Sequence, residues 1–428
     1  MVKILSYLKA VKVFRLNINC VSGRMIFDSR GNPTVEATVC AGNFTGTAAA
    51  PSGASTGTYE AVELRDGGKE YNGKGVSKAL NNINIIENAI RGMDVLDQKS
   101  IDKKIIELDG TGNKSKLGAN ATVAVSMAVA RSAAASEGKE LFMYLNPSAD
   151  RLPIPFMNVI NGGKHAGSGL AVQEFMIVPV NARNFTDAMR MCTEVYHELK
   201  EIISDKYGKS ATGVGDEGGF APAINKTSDA LDLIMKAIEK TGYMKEMRIS
   251  LDCAASEFYD KGMYRIDGKK IGTDKLLDFY ADIVKEYNLF SIEDPFNEDD
   301  FEAFSKLIEY VKCKVVGDDL TVTNVSRIQK AIDMKSINTL LLKVNQIGTL
   351  TEAWDAATLA LNNNCGVIVS HRSGETCDTF IADLAVALNC GMIKSGAPCR
   401  SERVEKYNRL LKIEEILGTK AKYGIEVM

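Results

Sequence analysis

Six short apolar runs in this 428-residue sequence end on side chains that can carry a charge or move a proton. They are Arg248–Asp252 (RISLD), Phe290–Asp294 (FSIED), Lys314–Asp318 (KVVGD), Thr339–Val344 (TLLLKV), Gly366–His371 (GVIVSH) and Met392–Gly396 (MIKSG). Their ends supply Asp252, Glu293 with Asp294, Asp318 with Asp319, Lys343, His371 with Arg372, and Lys394. A single acid at a strand end is usually a helix cap, and Asp294, Asp319 and Asn345 read that way. A whole rim of charges needs something between them, because like charges that converge repel. Three carboxylates with no His/Cys cluster nearby are hard oxygen donors, which suit Mg²⁺ better than zinc. Asp252, Glu293 and Asp318 are the expected ligands. Lys343 follows Leu340-Leu341-Leu342, where burying a lysine for structure alone is costly. Near a divalent cation and Lys394 its pKa is expected to fall, leaving an amine that can take a proton. His371-Arg372-Ser373 offers a guanidinium fork and a hydroxyl, a pairing suited to phosphate.

Three loops add to this set. Gly213–Gly218 (GVGDEG) matches the dinucleotide fingerprint, but it follows a helical stretch and carries two acids that would repel a pyrophosphate. It reads instead as a Gly-rich turn that presents Glu217 as a positioned acid. His165 lies among glycines in Asn161–Gly169, a setting for a site residue rather than a core filler. His197 is assigned to structure. Pro51–Gly57 (PSGASTG) can turn backbone N–H groups and the Ser55 hydroxyl toward an anion, although it lacks the lysine of a P-loop.

These residues need a frame that brings strand ends together. Helical patterns near 274–287, 299–310, 324–335, 349–363, 378–389 and 401–416 alternate with the six runs, which predicts parallel strands closed into a barrel. Pro153–Asn161 and Glu174–Val180 also read as strands, but the dozen or so residues between them are too few for a crossover helix. They must pair antiparallel. Helices at 185–206 and 228–241 follow, so the expected order is ββαα(βα)6, an irregular eight-stranded α/β barrel over 146–428. Before it, Thr34–Cys40 and Asn43–Ala50 read as a hairpin, with helices near 76–91, 97–108 and 119–137. This is an α+β cap, strands then helices, over 1–145. The acid-free first 27 residues read as a leading segment that runs into a first strand. Lys+Arg at 52 against Asp+Glu at 55 leaves no positive field for nucleic acid or an anionic membrane. Nine cysteines without a CxxC pair argue against a disulfide framework and fit a reducing compartment.

The strings Asp28–Thr34 (DSRGNPT), Pro51–Gly57, Asn161–Gly167 (NGGKHAG), Gln173–Met176 (QEFM), Gly215–Pro222 (GDEGGFAP), Ser291–Phe296 (SIEDPF), Gly317–Asn324 (GDDLTVTN), Leu341–Gly348 (LLKVNQIG), Ser370–Thr376 (SHRSGET) and Lys394–Pro398 (KSGAP), in this order, resemble the enolase (phosphopyruvate hydratase) family. The resemblance implies a similar cap and irregular barrel. It implies reversible loss of water from 2-phosphoglycerate to give phosphoenolpyruvate, in glycolysis and gluconeogenesis. It further implies two Mg²⁺ per site. One is conformational, held by Asp252, Glu293 and Asp318; the other is substrate-dependent and bound with help from Ser55 in a mobile loop. Lys343 would remove the C2 proton, and Glu217, supported by Glu174, would protonate the departing C3 hydroxyl. His165, Glu174, His371 and Lys394 would contact substrate, while Arg372, Ser373 and Ser55 would hold the phosphate. A cytoplasmic homodimer, or a larger ring, would be the working form, with no nucleic-acid or membrane partner. Another superfamily enzyme acting on a different carboxylate, such as a racemase or cycloisomerase, fits the Glu217 loop and Arg372-Ser373 poorly. A catalytically idle or moonlighting binding protein on the same fold predicts decayed rim residues, and every one is intact.

Overall fold

The computed structural model describes residues 15–54, 57–165 and 169–425. The chain opens as an antiparallel meander of Ile18–Phe27, Pro33–Ala41 and Phe44–Ala49. In the middle strand Val35, Ala37, Val39 and Ala41 are buried, while the alternate Glu36, Thr38 and Cys40 are only partly covered. That period of two gives the sheet one apolar face. Three helices follow, Ser77–Ile90, Gln98–Asp109 and Ala119–Ser136. The third is buried along most of its length and lies hard against the sheet. A Cβ on Gly46 would come within 2.2 Å of the Ser132 backbone nitrogen and 2.3 Å of the Ala128 carbonyl. Small residues on both sides permit that approach.

The rest of the chain closes into an eight-stranded barrel: Ile154–Asn161, Glu174–Val178, Arg248–Asp252, Ser291–Glu293, Lys314–Gly317, Thr339–Leu342, Gly366–Ser370 and Met392–Lys394. The second strand runs antiparallel to both neighbours and every other pairing is parallel. The expected irregular ββαα(βα)6 order is borne out, with helices Phe185–Tyr207 and Thr227–Thr241 in a row after the reversed strand. Inside the barrel Ile154, Phe156, Met176, Val178, Val316, Leu341, Ile368 and Met392 form their own apolar plug. Strand alternation separates this layer from the outer one, since Leu340 and Leu342 pack with the surrounding core and Leu341 packs inward.

Several elements were not foreseen. A small sheet of Tyr259–Asp260, Met263–Ile266 and Lys269–Ile271 sits before the helix Thr273–Tyr287. Short helices form at Leu141–Leu145 and Val344–Ile347. The expected caps were misassigned. Asp300, Asn324 and Thr349 cap the helices beginning at Phe301, Val325 and Leu350, whereas Asn345 lies inside a helical turn. Much of the expected leading segment, residues 1–14, lies outside the described residues. No helix among the described residues is long and apolar enough to cross a membrane.

The first unit meets the barrel mouth through loops. Ser52 and Gly374 exchange backbone hydrogen bonds of 2.7 and 2.8 Å, and Ser29 N–H donates to the Glu375 carbonyl at 2.7 Å. Arg131 donates to both Asp378 carboxylate oxygens across the same joint.

Candidate active site

The interior plug explains the pocket above it. Two residues beyond Val316, Leu341, Ile368 and Met392 come Asp318, Lys343, Ser370 and Lys394, which share the inward face. On the reversed strand the same rule runs backwards, so Glu174, two residues before Met176, rises to the mouth directly opposite Asp252. These five side chains line one pocket together with Gln173, Glu217, Asp252, His371, Arg372 and Ser373.

Charge is unevenly supplied there. Glu174, Glu217, Asp252, Glu293, Asp294 and Asp318 are all buried, and among the described residues they face Lys394, Arg372 and the half-buried Lys343. The Lys394 ammonium lies 2.9 Å from Asp252 Oδ2, 2.9 Å from Glu293 Oε1 and 3.2 Å from Glu174 Oε2. Burial opposes its charge, but those carboxylates outweigh burial and hold its pKa well above the ordinary lysine value. Burial and the neighbouring acids push Glu174 and Glu293 well above the usual carboxylate range. The Lys343 ammonium donates to Asp318 Oδ2. Burial works against that lysine's charge, yet Asp318 prevails and its pKa is raised. Asp318 is correspondingly lowered, because Lys343 more than offsets its burial.

Asp318 is carefully held. Gln346 Nε2 donates to its Oδ1 at 2.8 Å, and Gln346 Oε1 accepts from the Thr323 hydroxyl at 2.9 Å. Val322 and Thr323 adopt left-handed backbone, with φ of 42° and 56°. β-Branched residues resist that conformation, so the loop after Asp318 stores strain next to the pocket. Asp294, expected as a cap for its own helix, instead accepts the backbone N–H groups of Asp318 at 3.0 Å and Asp319 at 2.7 Å.

The acid loop is fixed from several sides. Gly215 N–H donates to the Gly219 carbonyl, Tyr196 Oη donates to the Gly218 carbonyl at 2.7 Å, and Ala397 N–H donates to the Glu217 carbonyl at 2.9 Å. The Glu217 carboxyl accepts from Asn158 Nδ2 at 3.0 Å on Oε2 and faces His371 Nε2 at 3.6 Å on Oε1. The turn follows a 3₁₀ stretch and leads into no helix, so the dinucleotide reading fails structurally as well. Across the pocket the Arg372 fork grips Glu60 with bonds of 2.8 and 3.1 Å. Arg30 reaches Ser373 Oγ at 3.4 Å.

The donors fit a hard divalent cation. All are oxygens, they are buried, and among the described residues the acids outnumber the cations that line the pocket. Among the described residues, ligand oxygens of Asp294, Asp318 and Asp319 lie within 4.8 Å of one another, a different trio from the expected one. Asp294 is spent on backbone N–H groups, which leaves Asp318 turned toward the pocket. Asp252 and Glu293 meet around Lys394 instead.

Of the expected site residues, Glu174, Glu217, Asp252, Asp318, Lys343, His371, Arg372, Ser373 and Lys394 line the pocket, and Glu293 reaches it through Lys394. Ser55 lies outside the described residues. His165 ends a 3₁₀ turn, Gly163–His165, and its side chain also lies outside them. His197 is exposed on its helix. Glu60, Asn158, Gln346 and Arg403 were missed. The string LLKVNQIG contained Gln346, and only a tertiary map reveals the other three.

Two family models match the chain. One, described as the enolase N-terminal domain, covers residues 18–145. The other, described as the enolase C-terminal TIM barrel domain, covers residues 149–427. Similar curated proteins include the enolase of Methanocaldococcus jannaschii, 56% identical over 94% of this chain and 96% of that protein. The enolase of Methanothrix thermoacetophila is 55% identical over 96% and 98%, and that of Methanopyrus kandleri 56% identical over 94% and 97%.

Proposed function

The chain belongs to the enolase family, and from that premise we propose how its pocket carries out the dehydration of 2-phosphoglycerate. It is a lyase of glycolysis, a phosphopyruvate hydratase acting on a small-molecule substrate. The observation that carries the assignment of roles is that Lys343 and Glu217, an amine and a carboxyl, open into one buried pocket with Asp252, Asp318 and Lys394.

A proton beside a carboxylate is very weakly acidic, and removing it builds charge on the carboxylate oxygens. Lys343 takes the C2 proton. It does so as a free amine, which requires Asp318, the partner that now holds it protonated, to be engaged elsewhere. Glu217 gives its proton to the C3 hydroxyl. The C3–O bond breaks, water departs, and the electrons of the C2–H bond become the C2–C3 double bond. Lys394 keeps its charge throughout, gripped by three acids, and offers it to the substrate carboxylate. Arg372 and Ser373 hold the phosphate, Arg372 exchanging the Glu60 carboxylate for a phosphate that suits the same fork. His165, Glu174 and His371 complete the contacts to substrate.

Enolases use a metal cofactor, and we assign Mg²⁺ here, with Asp252, Glu293 and Asp318 holding one ion and Ser55 joining the phosphate around a second. When bound, Mg²⁺ supplies positive charge for the enediolate oxygens, and a lysine base with Mg²⁺ is the known arrangement of the enolase superfamily. The reading extends to a capping unit over 1–145 and a catalytic barrel over 146–428, a cytoplasmic homodimer, and a part in gluconeogenesis. The test is purified protein with 2-phosphoglycerate, followed by phosphoenolpyruvate absorbance. Product should form with Mg²⁺ and stop with chelator; formation unaffected by chelator would overturn the metal assignment.

A further inference from the structure

Arg403 is wholly buried on the helix Ser401–Leu417, behind the pocket rather than in it. Its guanidinium ties two loops together. Nη1 donates to His371 Nδ1 at 2.7 Å and to the Arg372 carbonyl. Nη2 donates to the Ser373 carbonyl and to the Asp216 carbonyl at 3.1 Å. One side chain thus spans the loop that carries Glu217 and the loop that carries His371, Arg372 and Ser373. Room for it depends on Gly396, whose φ is +79°. A Cβ there would meet the Glu217 carbonyl at 2.8 Å and Arg403 Cδ at 3.0 Å.

A guanidinium has donors only, so the His371 Nδ1 it touches must be the acceptor. A proton on Nδ1, alone or in an imidazolium, would set N–H against N–H. The remaining ring proton therefore sits on Nε2, and Nε2 faces Glu217 Oε1 at 3.6 Å with no closer partner among the described residues. We propose that Arg403 is a positioning residue for the acid step: it locks His371 as the neutral Nε2–H tautomer and so keeps an uncharged donor aimed at Glu217. An imidazolium in that place would stabilise the ionised carboxylate, so Glu217 would give up its proton to solvent before turnover. A neutral N–H leaves the carboxyl protonated until it is needed, then steadies the carboxylate that forms. Burial acts in the same direction and, with the positive charges of Arg403, Lys394 and Lys343, outweighs the opposing Glu217 and holds His371 well below its ordinary pKa. The inference rests on the reading of Glu217 as the acid.

The sequence holds three histidines, so a ¹⁵N-histidine spectrum of the whole protein is simple, and His371→Asn and His197→Gln assign it. His371 should show a neutral ring protonated at Nε2 throughout roughly pH 6 to 8. A charged ring, or a proton on Nδ1, would overturn the proposal without any change at Arg403. In Arg403→Met the tautomer should be lost. Dehydration should fall about 100-fold, while exchange of the C2 proton with deuterated solvent and KM each change less than about 3-fold. Arg403→Lys, which keeps a donor-only cation, should recover part of the rate. Equal loss of exchange and dehydration would show that Arg403 only braces the loops, and the proposal would fall. The Glu217 reading fails separately, if Glu217→Gln abolishes exchange along with dehydration. The His371 signal still reports whether Arg403 sets the tautomer in that case.

Discussion

The two walls of the pocket are built by different means. On one wall Asp252, Asp318, Lys343 and Lys394 sit at strand ends, the last three one layer above an apolar plug and Asp252 paired opposite Glu174. On the other wall Glu217, His371, Arg372 and Ser373 sit on loops, each placed by a hydrogen bond to a residue far away in the chain. Asn158 holds Glu217, Arg403 holds His371, and Glu60 holds Arg372. The strand wall inherits its accuracy from the sheet. The loop wall must be braced residue by residue, at the cost of a glycine-dependent turn at Gly396. The division follows the proposed chemistry, since the strand wall gathers the proposed base and metal donors while the loop wall carries the proposed acid and phosphate grip.

The strongest test of that division separates base from acid. Lys343→Ala should lower dehydration by roughly 10³–10⁴-fold and abolish C2 proton exchange as well. Glu217→Gln should lower dehydration by a similar order yet leave exchange measurable, because only the leaving step is disabled. Exchange lost equally in both would mean that the walls do not divide the two proton transfers. A smaller effect is expected from Asp252→Asn, which leaves the barrel intact but removes one hard donor and one partner of Lys394. The Mg²⁺ concentration for half-maximal rate should rise about 10-fold or more. An unchanged Mg²⁺ titration would remove Asp252 from the ligand set.

The same contrast governs what could be read from the sequence. Strand-wall residues were legible because each ends an apolar run, and the spacing from Leu341 to Lys343 or from Met392 to Lys394 is local. The reversed second strand was legible too, from a connection too short for a helix. Loop-wall residues were named only by type. Nothing within a few positions of His371 indicates that Arg403 reaches it, or that Glu60 fills the fork of Arg372. One misreading shares that cause. Asp294 looked like a cap for the next helix but serves the backbone of Asp318 and Asp319, on the neighbouring strand's loop. Lys343 was expected to lose charge to cationic neighbours. Asp318, brought alongside by pairing of adjacent strands, is an opposing influence that the apolar run itself does not show.

The smallest effect is expected where the loop wall is tied to the first unit. Asp378 follows the His371–Thr376 loop, accepts from Arg131 on both oxygens, and accepts from the Ala49 and Phe380 backbone N–H groups. Burial disfavours its charge, but Arg131 and those hydrogen bonds prevail and hold its pKa below the usual value. A carboxylate lowered on folding adds stability that is fully present above its unfolded pKa. That stability is lost as pH falls through the folded one. Asp378→Asn should therefore cost about 1–3 kcal/mol near neutral pH, read as a lower denaturation midpoint. The gap to the unaltered protein should close as the pH drops below about 4. With the joint loosened, the phosphate grip should suffer before the base does, so KM for 2-phosphoglycerate should rise about 2- to 5-fold while the C2 exchange rate at saturation holds. A fall in exchange with KM unchanged would show that the joint supports the strand wall instead, and that the two walls are less independent than their construction indicates.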